Sequence, residues 1–161
     1  MSVAIVVAYS TNRVIGAGGG VPWHLPGDMR CFRELTTGGT VVMGRRTFES
    51  LPERFRPLPD RRNLVISSAS DYRAVGAEVL PSLRAGLSAA GEDCFVIGGG
   101  VVYGQALPLA ARVYATEVHA EIQGDVFFPE LSPEQWSCVS EGEPVTENGL
   151  EYVHRVYERP R

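Results

Sequence analysis

The chain has 161 residues, 44% hydrophobic and 21% charged, and a formal net charge of −4. Those values fit an ordinary globular protein of one domain, residues 1–161, and disfavour a nucleic-acid partner. All 15 basic residues are arginine, which excludes a P-loop lysine, a Schiff-base lysine and a Ser-Lys nucleophile pair.

Residues 3–9, VAIVVAY, form a nearly continuous apolar run and read as a central strand buried on both faces. They carry no basic leader or cleavage pattern, so a cytoplasmic protein is expected. The apolar stretches are short and interrupted, so no membrane span is expected. The glycine-rich stretch 16–20 then reads as a mobile loop that leads past Trp23 into a pocket.

Pro26 suits a helix start, and Asp28, Cys31, Phe32 and Leu35 follow at i, i+3, i+4 and i+7 on one helical face. A carboxylate leading an apolar stripe either complements the helix dipole or waits for a ligand that pairs with it. Gly38 and Gly39 end this helix.

TVVM at 40–43 reads as an interior strand, Gly44 breaks it, and RRTFESL opens a short helix that stops before Pro52. Free N–H groups beside Arg45, Arg46 and Thr47 offer a phosphate site. Arg45, Arg46, Arg54, Arg56, Arg61 and Arg62 all fall between residues 45 and 62. Such clustering suits anionic groups on a small ligand, whereas Arg54 and Arg56 read as a solvated face. NLVIS at 63–67 is the next strand, and Ser67 and Ser68 at its end can offer hydroxyls to an anion.

AEVL at 77–80 reads as a short strand and 82–90 as a helix capped by Ser82. DCFVIGGGVVYGQAL then joins a strand to a helix through three glycines. Its spacing misses the Rossmann fingerprint, so it is either a tight turn or a close approach of backbone N–H groups to a pyrophosphate. RVYATEV at 112–118 reads as a strand with Thr116 as the small hydroxyl of one face, and 136–142 and 150–158 as closing strands. Residues 143–149, which contain Asn-Gly, read as their hairpin connection. Cys31, Cys94 and Cys138 show no Cys-x-x-Cys pattern, and His24, His119 and His154 no metal-ligand spacing. All six read as buried or bystander residues, with no metal.

The βαβα order followed by strands without helices predicts an α/β fold, mostly parallel, with helices on both faces and an antiparallel C-terminal edge. VIGAGGGVPWHLPGDMRCF resembles the opening signature of the dihydrofolate reductase family, and the likeness continues in order through GRRTFES, RPLPDRRN, FVIGGGVVY, YATEV and GDVFFP. Asp rather than Glu at position 28 resembles the bacterial branch. The resemblance implies a central sheet of about eight strands with about four flanking helices. It also implies NADPH as cofactor, dihydrofolate as substrate, and hydride transfer from nicotinamide carbon 4 to pterin carbon 6.

Asp28 would then bind the pterin, with Thr116 hydrogen-bonding its carboxylate and Trp23 touching the ring through water. Val6, Ala8, Met29, Phe32, Leu51 and Leu58 would wall the substrate pocket, and Arg61 would pair with the α-carboxylate of the glutamate tail. Ile97 and Tyr103 would border the nicotinamide together with Ala8, Ile15 and Gly16. Gly99 and Gly100, leading into Val101 and Val102, would contact the pyrophosphate; Gly44, Arg45, Arg46, Thr47 and Ser67 or Ser68 would take the adenosine phosphates. A cis peptide is implied between Gly98 and Gly99.

Two departures stand out. Val21 replaces the usual larger residue, and Asp60 replaces glycine before Arg61. Diaminopyrimidine or pteridine antifolates are the implied inhibitors, and a monomer is expected. Two rivals remain: a relative on the same fold that reduces another pterin or a pyrimidine, and a non-catalytic NADPH-binding module.

Overall fold

The computed structural model describes residues 2–17 and 20–160. In chain order the elements are β1 (Val3–Ser10), β2 (Val14–Gly16), α1 (Pro26–Thr36), β3 (Thr40–Gly44) and α2 (Arg45–Ser50). Then come β4 (Arg62–Ile66), β5 (Glu78–Leu80), α3 (Leu83–Ala90), β6 (Cys94–Val96), α4 (Gly100–Ala106) and β7 (Arg112–Val118). β8 (Val126–Phe127), β9 (Ser137–Glu141), β10 (Val145–Glu147) and β11 (Leu150–Glu158) complete the chain.

Eight strands run in the order β10-β11-β7-β1-β6-β3-β4-β5, and β9 joins the same edge by pairing with β11. Every pair from β7 to β5 is parallel, because helices or long crossovers return the chain to the same end. The pairs made by β11 are antiparallel. Among the described residues this is the expected mostly parallel α/β sheet with four α-helices and an antiparallel C-terminal edge.

Two local expectations need correction. Residues 143–149 are not only a connection: they hold β10, and the turn proper is Asn148-Gly149, with φ of 50° and 77°. Two left-handed residues match the twist of a tight hairpin. β11 is long enough for β10 to pair with its start and β9 with its end. The β2–β8 ribbon, Val14 against Phe127 and Gly16 against Val126, is too short for its periodicity to be read in the sequence. Gly18 and Gly19, within the expected mobile loop, lie outside the described residues.

The second correction concerns β1, which is not buried on both faces. Val3, Ile5, Val7 and Tyr9 are buried, whereas Ala4, Val6 and Ala8 are only half-buried. Strand register explains the asymmetry. Ala4 pairs with Phe95's strand position, Val6 with Tyr114 and Ala8 with Thr116, and His154 lies opposite Thr116 on β11. These residues share one sheet face. On the opposite face Ile5, Val7, Val42, Leu87, Val96 and Val113 belong to a large core with Phe128 and Trp136. On the first face a smaller core of Val41, Met43, Phe48 and Val65 fills only the β3–β4 end. The remainder of that face is left open, and the cleft lies there.

Candidate active site

The cleft has a volume of about 590 Å³ and is walled on one side by α1 and on the other by the ends of β1, β7 and β11. α1 begins with Pro26 in its first turn, and the N-cap Leu25 supplies no side-chain bond. The free N–H of Gly27 instead donates to both carboxylate oxygens of Glu147, at 2.9 and 3.0 Å. Tyr152 donates its hydroxyl to the same carboxylate at 2.6 Å. A Cβ at residue 27 would lie 2.9 Å from Glu147 and from the Tyr152 hydroxyl, so glycine is what permits the approach. Glu147, remote in sequence, therefore takes the dipole-complementing role at the end of this helix.

Asp28 is released for the cleft. Its Oδ1 accepts a hydrogen bond from Thr116 Oγ1 at 2.6 Å and lies 2.9 Å from His154 Nε2. Among the described residues no donor reaches its Oδ2. The Asp28 side chain is 20% exposed, and Thr116 is buried. The stripe read from the sequence, Cys31, Phe32 and Leu35, lines the same cleft, as do Met29, Val21 and Trp23. Val6, Ala8, Leu51, Leu58, Ile97 and Tyr103 supply the opposing wall. Tyr103 donates its hydroxyl to the Val6 carbonyl at 2.7 Å, and burial pushes its phenol pKa well up, so it remains a neutral donor.

Arg61 stands beyond Phe32, with its guanidinium carbon 5.9 Å from that ring's centre. Asp60 before it has φ 62°, the left-handed conformation anticipated where glycine is usual. Arg61 Nε donates to the Pro59 carbonyl at 2.8 Å and Nη1 to Thr36 Oγ1 at 3.0 Å, while burial lowers its pKa from the ordinary guanidinium range. Asn63 fixes this loop: its amide accepts from Leu58 N at 2.9 Å and donates to the carbonyls of Leu58 and Arg61 at 2.9 and 3.0 Å.

Beside the cleft two helix starts converge. Gly44 and Gly99 are the N-caps of α2 and α4, neither helix has a side-chain cap, and Gly44 N donates to the Gly98 carbonyl at 2.9 Å. The Gly98–Gly99 peptide is cis, and Gly98 has φ 127°, a conformation reserved for glycine. A Cβ at residue 99 would meet Thr47 Oγ1 at 3.4 Å, and one at residue 100 would meet Val126 at 2.7 Å, beside Ile15. The ledge is thus bare backbone with uncapped N–H groups, which suits a dinucleotide pyrophosphate. Ile15 and Gly16 approach it through β2, Val101 is exposed on α4, and Val102 is buried beneath.

Arg46 is exposed at the same point. Arg45 stacks on Tyr72 at 4.1 Å and pairs with Glu49 at 3.2 Å. Ser67, half-buried just past β4, accepts from Ala69 N at 3.2 Å, and Ser68 follows it exposed. Arg54 and Arg56 turn to Phe55 and the Leu51 carbonyl.

His154 and Cys31 are not bystanders, contrary to the expectation from spacing. His154 touches Asp28 across the sheet, and Cys31 lines the cleft. Burial and the nearby Asp28 carboxylate push the Cys31 thiol pKa up. Cys94 is buried, with its thiol pushed up to about 11 by desolvation, and Cys138 is exposed. No motif could have found His154, Glu147 or Asn63, because each reaches the site only through strand register or a loop return.

A bare-backbone ledge at the C-terminal ends of parallel strands, beside a cleft lined by a carboxylate, suits a dinucleotide cofactor and a nitrogen heterocycle. The dihydrofolate reductase family model matches residues 2–159. A Mycobacterium tuberculosis dihydrofolate reductase is 45% identical over 160 residues, covering 98% of both chains. That of Neisseria gonorrhoeae is 43% identical over 160 residues, again 98% of both, and that of Bacillus subtilis is 40% identical over 161 residues, 98% of this chain and 94% of its own. Among solved structures, dihydrofolate reductase from Enterococcus faecalis complexed with NADP(H) and RAB-propyl superposes with a TM-score of 0.88 at 36% identity, covering 99% of this chain and 97% of that one. The chain belongs to the dihydrofolate reductase family, and its reaction is the NADPH-dependent reduction of dihydrofolate.

Proposed function

We propose that Asp28 anchors the dihydropterin through the ring nitrogen and its 2-amino group, with Thr116 fixing the carboxylate's orientation. The observation that carries this reading is the 2.6 Å Thr116–Asp28 bond on a sheet face left open beside the glycine ledge. An ionised carboxylate accepts two parallel hydrogen bonds from an amidine-like edge as it does from guanidinium. Val6, Ala8, Met29, Phe32, Leu51 and Leu58 sandwich the ring, and Arg61 meets the glutamate tail's α-carboxylate.

When bound, NADPH would supply the hydride, from nicotinamide carbon 4 to pterin carbon 6. On this chain's side, Gly99, Gly100, Val101 and Val102 present backbone to the pyrophosphate. Gly44, Arg45, Arg46, Thr47 and Ser67 or Ser68 receive the adenosine phosphates. Ala8, Ile15, Gly16, Ile97 and Tyr103 border the nicotinamide. Nitrogen 5 is protonated through water admitted beside Trp23, and Asp28 acts electrostatically, favouring positive charge as it develops on the ring.

Residues 1–161 act as one domain and as a monomer in the cytoplasm, and diaminopyrimidine or pteridine antifolates occupy the Asp28 pocket. Among the described residues no helix is long and apolar enough to cross a membrane. The test is loss of NADPH absorbance on mixing protein, NADPH and dihydrofolate, with and without a diaminopyrimidine. Rapid inhibitable loss supports the reading; full turnover by Asp28→Asn at neutral pH would sink the assignment of the anchor.

A further inference from the structure

His154 is drawn into the site by register alone: β11 sets it opposite Thr116, and its Nε2 lies 2.9 Å from the Asp28 oxygen that Thr116 already bonds at 2.6 Å. An ionised carboxylate has about four lone-pair sites, two on each oxygen. Oδ1 of Asp28 is therefore filled by Thr116 and His154, while Oδ2 is open. A ligand that binds through the parallel fork needs one site on each oxygen. Ring and imidazole must contend for Oδ1.

We propose that His154 is a specificity-determining residue that competes with ring ligands for Asp28, so that affinity falls as the imidazole gains its proton, most of all for ligands that bind as cations. This rests on the reading of Asp28 as the ring anchor. An ionised Asp28 has no proton to give, so Nε2–H is the donor whether or not the second ring nitrogen is protonated. Protonation adds a full positive charge to a donor whose acceptor is already ionised, which strengthens that bond further and sets a positive charge where a cationic base would bind.

The other groups around the imidazole leave this contest to Asp28. On its own strand the Tyr152 ring meets it edge-on, 5.4 Å between centres, with the Tyr152 hydroxyl committed to Glu147 of β10. Arg155 points to Glu117 of β7 and, at 2.7 Å, Glu141 of β9. β9's end supplies only the Gly142 backbone, which donates to the His154 carbonyl at 2.8 Å. From α1, Cys31 lies near Asp28, and His24, just ahead of that helix, lines the same cleft. The His154 side chain is 36% exposed, so it can reach water and turn aside when a ligand enters.

The experiment is a fluorescence titration of the wild-type protein, His154→Phe, His154→Gln and Asp28→Asn with dihydrofolate and separately with a 2,4-diamino-5-benzylpyrimidine, between about pH 5 and 8, where an imidazole changes charge. Near-ultraviolet circular dichroism checks each fold. His154→Phe keeps an aromatic ring and removes the donor, whereas His154→Gln keeps a donor that takes no charge. The ratio of wild-type to His154→Phe dissociation constants for dihydrofolate should grow about tenfold from the alkaline to the acid end, and further for the diaminopyrimidine. For His154→Gln the corresponding ratio to His154→Phe should stay flat. A wild-type ratio that is also flat, or weaker binding by His154→Phe throughout, overturns the proposal. Unimpaired binding by Asp28→Asn would overturn instead the anchor reading beneath it.

Discussion

α1 and α3 carry apolar stripes of the same helical period but put them to opposite uses. In α3, Leu83, Gly86, Leu87 and Ala90 are all buried, and Ser82 caps the start by accepting from Ala85 N at 3.1 Å. In α1 only Thr36 is buried; Phe32 and Leu35 are half-buried on the cleft, Cys31 is exposed, and the start is held by Glu147 from another strand. α3 packs on the β3–β4 region, while α1 faces a part of the sheet that nothing covers. A stripe by itself shows that a helix has an apolar side. What lies opposite decides whether that side is core or binding wall.

Two carboxylates repeat the contrast. Glu117, next to Thr116 but on the other sheet face, accepts from Tyr9 at 2.6 Å and from Tyr157 at 2.7 Å, and it pairs with Arg155. Burial alone would raise its pKa, but those three donors outweigh it and hold the carboxyl below its ordinary range. In turn burial and Glu117 push the Tyr157 phenol up to about 12. Glu117 has both oxygens engaged, whereas Asp28 keeps one open.

The sharpest way to break the comparison is Asp28→Asn. It should lower kcat/KM at neutral pH by about 10³-fold, with partial recovery in acid and little change in melting temperature. A large loss of stability with activity retained would make Asp28 structural.

Next, the two stripes are set against each other. Leu87→Ala in α3 should cost about 3 kcal/mol of unfolding free energy in a denaturant titration with KM unaltered. Phe32→Ala in α1 should cost less than about 1 kcal/mol, because the ring is already half solvated, but should raise KM for dihydrofolate about tenfold. Equal destabilisation by the two would erase the distinction.

Glu147→Ala should cost about 1–2 kcal/mol, the usual loss when a helix start loses its acceptor, and should loosen Asp28 through α1. Chemical denaturation gives the first effect and a raised KM the second.

The smallest effect is one of slope. Because the Glu117 carboxyl is depressed in the folded state, it contributes stability above the ordinary carboxylate range, and this is lost as pH falls through its folded value. Glu117→Gln should therefore flatten the acid limb of melting temperature against pH. An unchanged limb would mean that another carboxylate governs it.

Much of the site was legible because it is written in local runs. Asp28 with its stripe, the glycine triplet, and Arg61 behind Asp60 are each contiguous segments whose conformations follow from residue type: proline at a helix start, glycine at φ 127°, aspartate at φ 62°. Residues 150–158 were readable as a strand for the same reason, by composition and the Asn-Gly turn that precedes them. Illegible were the contacts made across the chain: Glu147 to Gly27, Asn63 to the 58–61 loop, and His154 to Asp28. β1 shows the limit most clearly. VAIVVAY is apolar at every position but its last, so nothing in it distinguishes the side that meets the core from the side that meets the cleft.

The sequence by itself determined the mostly parallel α/β order, the absence of lysine chemistry, the uncapped glycine turns and the acid at the head of an apolar helix, since these depend on neighbours in the chain. Only the tertiary structure decided which face of the sheet stayed open, that Glu147 relieved Asp28 of the helix end, and that His154 reached the same oxygen as Thr116. The physical reason is register: pairing β11 with β7 sets His154 opposite Thr116, and a shift of one residue would turn His154 to the other face.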